Sequence, residues 1–94
     1  MQEARFIGGQ VFRSGTSVGA NYRAACRGRS RAEFIAKMGV VLEEADETLY
    51  WLELLVESAI VKPVLLKDLM AEANALVAIF VATLRTAKDR KSAI

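Results

Sequence analysis

Histidine is absent from the 94-residue chain. Its absence excludes Ser-His-Asp and Cys-His triads, His-ligated zinc and imidazole acid–base chemistry. A single cysteine, Cys26, closes no disulfide within the chain, which fits a reducing compartment. There is one proline and no low-complexity tract, and 26% of residues are charged, so the composition is that of a folded chain rather than a disordered one. Long apolar runs are missing too. The longest uncharged segment, Ala73 to Leu84, lies between Glu72 and Arg85 and falls short of the ~20 residues of a spanning helix. Met1 is followed by Gln2-Glu3-Ala4-Arg5 rather than by a basic stretch and an apolar core, so no signal peptide is read and the expected location is cytoplasmic. What the chain does have is grease: 53% apolar residues and a mean hydropathy of +0.24. A domain this small buries only about 60–65% of its unfolded surface and often relies on partners.

Two breaks divide residues 1–94, read as one domain, into three helical stretches. At Cys26-Arg27-Gly28-Arg29-Ser30, Gly28 suits a left-handed position beyond a helix end. Ser30-Arg31-Ala32-Glu33 has the form of a capping box. At Lys62-Pro63 the proline suits the first position of a new helix. Between the breaks, from Arg31 to about Val61, the residues Phe34, Met38, Val41, Ala45, Leu49, Leu52 and Val56 form a stripe at spacings of three and four. From Pro63 to about Lys88 a second stripe comprises Leu66, Leu69, Met70, Ala73, Leu76, Val77, Phe80 and Leu84. Leu65, Ala75, Ile79 and Ala82 extend its apolar surface around the helix, so this helix expects neighbours on more than one side. The first stretch is weakened by Gly8, Gly9, Gly15 and Gly19. Phe12, Gly15, Val18, Tyr22 and Ala25 nevertheless keep helical spacing, which predicts a helix with a ragged start before Gln10.

The segment Gln10-Val11-Phe12-Arg13-Ser14-Gly15-Thr16-Ser17-Val18-Gly19-Ala20-Asn21-Tyr22-Arg23 resembles the second-helix motif of the four helix bundle family, also called 23S ribosomal RNA intervening-sequence proteins. Ser30-Arg31-Ala32-Glu33-Phe34-Ile35-Ala36-Lys37 resembles the start of that family's third helix, and Glu44-Ala45-Asp46-Glu47-Thr48-Leu49-Tyr50-Trp51-Leu52-Glu53-Leu54-Leu55 its middle. Two departures stand out. Ala24 occupies a position where the family usually carries Glu, and only nine residues precede Gln10 where a family member has a whole helix. A natural short form and a reading frame starting inside a longer gene both account for that. The resemblance implies an all-α antiparallel bundle, three of whose four helices are present, assembling into a ring that is commonly a pentamer. It also implies kinship with a basic accessory protein of diversity-generating retroelements, which binds a reverse transcriptase and nucleic acid. It brings no catalytic residues, cofactor or small-molecule substrate.

Charge is uneven along the chain. Residues 1–32 carry six arginines and one acid, residues 33–72 three lysines and nine acids, and residues 73–94 four basic residues and one acid. One reading is a phosphate-binding corner formed by Arg27, Arg29 and Arg31 with Lys88, Arg90 and Lys91, serving RNA, DNA or a nucleic-acid enzyme. The other is ion pairing between the arginine-rich first helix and the acidic middle helix, favoured by a net charge of only +2. Glu43, Glu44 and Glu47 are read as a solvated or paired face and not as a metal site, since bundle metal sites draw on Glu-x-x-His motifs. Gln10, Arg13, Ser14, Gly15, Ser17, Asn21, Arg23, Glu47 and Trp51, within the segments that carry the resemblance, are read as residues that fix the bundle or ring. Asn21, poor helix material, asks for a hydrogen bond to another helix. Ser14 and Ser17 have no base nearby, Cys26 is a small apolar residue at a helix end, and Tyr50 and Trp51 are core or interface anchors. The expectation is a non-enzymatic homo-oligomer presenting a surface to a macromolecular partner. Nucleic-acid binding is the alternative.

Overall fold

In the computed structural model, which describes residues 1–90, the chain folds into α1 (Gln2–Cys26), α2 (Arg31–Glu57) and α3 (Pro63–Asp89). The expected ragged start is not there: α1 runs unbroken from Gln2 through its four glycines. Intrinsic propensity opposes this by about 0.8–1 kcal/mol per glycine relative to Ala, and packing of one face onto α2 overrides it.

The α1–α2 corner departs from expectation in one respect. No glycine has a positive φ, so Gly28 is not a left-handed cap. A Cβ on Gly28 would stand 3.1 Å from the carbonyl oxygen of Ala25, so glycine serves the close approach of two backbone strands of the turn. Ser30 caps α2, its hydroxyl accepting from the Glu33 amide at 3.1 Å. The Glu33 carboxylate reaches back one residue further than a capping box requires, accepting from the Arg29 amide at 3.3 Å. The left-handed residue is elsewhere. Ala59, at φ 58°, follows α2, which stops at Glu57 and not at Val61. The Ile60 amide donates to the Leu55 carbonyl and the Ala59 amide to the Val56 carbonyl, both at 3.0 Å. That pair of bonds is a Schellman motif, normally closed by glycine. Lys62 then takes an extended conformation and Pro63 opens α3 as its first residue, as the sequence predicts.

Two apolar clusters show how the helices run. Ala25, Met38, Val41, Ala45, Phe80 and Leu84 are buried together, joining the end of α1, the start of α2 and the end of α3. Ile7, Leu52 and Leu55 form the other cluster, with Leu66, Met70 and Ala73 of α3 packed against it. Each helix is therefore antiparallel to its chain neighbour, and the rod measures 52 × 20 × 14 Å. Both α1 and α3 pack on α2 but their backbones do not pack on each other. The arrangement has three corners of a square bundle.

The burial pattern corrects three stripes. On α1 the buried residues are Ile7, Ser14 and Ala25, whereas Phe12, expected on the inner face, is 74% exposed. On α2, Leu55 rather than Val56 is buried. On α3 only Phe80 and Leu84 are fully buried, and Leu69 and Leu76 of the expected stripe are exposed.

Candidate functional site

Three features of the rod bear on function: a polar seam, an open corner and a basic end. The seam lies between α1 and α2. Ser14 is wholly buried, and its hydroxyl stands 2.8 Å from the Gln10 carbonyl of its own helix and 2.8 Å from Thr48 Oγ1 of α2. Beside this pair, Arg13 forms an ion pair with Glu47 and a longer one with Glu44 at 3.4 Å. The Gln10 side chain accepts from Arg13 Nε at 3.0 Å, and Trp51 Nε1 donates to Glu47 Oε2 at 3.0 Å. Gln10, Arg13, Ser14, Glu47 and Trp51, which the sequence analysis grouped, thus meet in one network. The small Ser14 lets α1 approach α2 closely, while the flanking charged groups fix its rotation.

Other grouped residues do not join it. Asn21 bonds the Ser17 carbonyl and hydroxyl at 2.9 and 3.0 Å within α1, not another helix, because its own preceding turn supplies the acceptors first. Arg23 is exposed in the last turn of α1, where a cation offsets the helix dipole. Cys26 is exposed rather than packed. The Cys26 thiol, one turn after Tyr22, raises the phenol's pKa above its ordinary value. Thr48 escaped the sequence reading, whereas Glu44, read as part of a solvated or paired face, pairs with Arg13. Thr48 does continue the three-four spacing of Val41, Ala45, Leu52 and Leu55, which a seam drawn only through apolar residues skips.

The open corner is the missing fourth position of the square. A groove of about 250 Å³ runs along it, floored by Ala45 and Leu52 and walled by Val11 and Gly15 of α1 and by Leu69 and Leu76 of α3. Near one end side chains of α1 and α3 approach, the Tyr22 and Phe80 rings lying 6.1 Å apart. Gly8, Gly15 and Gly19 share one side of α1, and a Cβ built on any of them meets nothing within 4 Å. Together these three glycines cost the helix about 2–3 kcal/mol relative to Ala, and no contact within the chain requires them. Across the groove, Leu65, Leu69, Leu76 and Ile79 are all exposed on α3.

The basic end is where α1 and α3 finish and α2 begins. Arg27 and Arg29 are exposed and Arg31 half-buried in the corner, and Lys88 and Arg90 are exposed at the end of α3. Arg90 borders the same shallow depression as Phe34 of α2, which places the two cationic groups at one end of the rod, as the sequence reading required. Lys91 lies outside the described residues. The expected pairing of the arginine-rich helix with the acidic one is realised by a single residue: among the described residues, Arg13 alone has an acidic partner within salt-bridge distance. Glu43 and Asp46 are exposed on another part of α2, out of reach of the corner arginines.

No described helix is long and apolar enough to cross a membrane. The chain is similar to a Bacteroides thetaiotaomicron protein of unknown function from the S23 ribosomal protein family, whose crystal structure superposes with a TM-score of 0.79 at 36% identity over 83% of this chain and 72% of that one. No curated protein matches. The family model for 23S rRNA-intervening sequence protein matches residues 2–82, and with the motif-bearing helices and their polar seam inside that span, the chain belongs to this family.

Proposed function

We propose that the protein is a non-enzymatic, cytoplasmic helical bundle that assembles with copies of itself and presents a surface to a macromolecular partner. The observation that carries this reading is the open corner. Leu69 and Leu76 of α3 are exposed along the groove, and Leu65 and Ile79 are exposed elsewhere on the same helix. Contiguous apolar surface of this kind marks interfaces in soluble proteins. The polar side chains of the seam are engaged with one another in holding α1 on α2. A ring of five is the assembly that the family resemblance favours. The test is the mass in solution by light scattering at micromolar concentration: a multiple of 10.3 kDa is expected, and the monomer mass contradicts the reading.

A second reading, nucleic-acid binding through the basic end, is favoured by one observation: among the described residues, Arg27, Arg29, Arg31 and Arg90 have no acidic side chain within salt-bridge distance. Guanidinium groups suit phosphate oxygens because they offer paired donors. The family's description as 23S rRNA-intervening sequence protein points to the same class of partner. On this reading, binding to RNA or DNA tolerates sequence changes and weakens steeply with salt. Replacing Arg27, Arg29 and Arg31 by Ala lowers both affinity and salt slope without changing the assembly mass. Absence of binding at low salt rejects it.

A further inference from the structure

We draw no further inference here: the strongest candidate, the surface patch of exposed Glu43, Asp46, Tyr50 and Glu53 along the outer face of α2, carries none because nothing in the structure shows what covers it.

Discussion

The seam between α1 and α2 is directional, with Arg13 reaching Glu44 and Glu47, Ser14 meeting Thr48, and Trp51 donating to Glu47. Between α2 and α3, by contrast, no side-chain hydrogen bond or ion pair crosses among the described residues, and Phe80, Leu84, Val77, Leu66 and Met70 supply apolar packing alone. The difference follows from what each helix offers. The α1 helix brings Ile7, Val11, Val18 and Ala25 to the apolar clusters with the buried Ser14 among them, and polar groups add direction to that packing. The α3 helix is apolar around most of its circumference, which holds it on α2 and leaves a second face uncovered. The polar seam locates a helix that has small residues to spare for another neighbour, and the dry seam holds one that still has leucines to bury.

The largest expected effect is on the dry seam. Phe80→Ala, at a residue 6% exposed, removes the main anchor of α3 and is expected to cost about 3–5 kcal/mol in denaturant titration. A loss below about 1 kcal/mol would mean that α3 is held by something other than this packing. On the polar seam, Ser14→Leu forces a large side chain into the closest approach of α1 and α2 and is expected to cost about 1–3 kcal/mol. Ser14→Ala, which keeps the size, costs about 0.5–1.5 kcal/mol at most, because Thr48 Oγ1 retains the Glu44 carbonyl at 2.8 Å. Equal losses for the two substitutions would show that the hydroxyl, not the tight fit, matters there.

Ala59→Gly relieves the left-handed residue at the end of α2 and should raise the stability of both seams together by about 1 kcal/mol. Arg13→Met is expected to cost only about 0.2–1 kcal/mol, less at high salt, since Arg13 is half exposed and its pairs are screened. The smallest effect is a titration. In a Tyr50→Phe background, Tyr22 should ionise above the ordinary phenol value of 10.0 because of the neighbouring Cys26 thiol, and Cys26→Ala should bring it down. The sign is that of a raised acid: the contact's contribution is full below the ordinary phenol pKa and is lost as pH rises through the folded one. Ultraviolet absorbance of the phenolate reads it.

Much of this was legible in the chain. Pro63 and Ser30 mark the starts of two helices because their local chemistry suffices. The α2 stripe appears because one helix packed on two sides keeps its period. Gly28 misled because a glycine after a helix has two uses, a left-handed cap and a close approach, and sequence does not distinguish them. Ala59 was invisible because alanine carries no signal for a left-handed position. The inner face of α1 was misassigned because aromatic Phe12 and Tyr22 outweigh Ser14 in any apolar count, although the close approach selects the small hydroxyl. Within the candidate site, Gln10, Arg13, Glu47 and Trp51 were found as a group, but only the fold shows that they lock one seam while the glycines face another way.

The most direct measurement is the mass of the chain in solution, by light scattering at micromolar concentration. The account predicts a multiple of 10.3 kDa, and the mass of a single chain contradicts it.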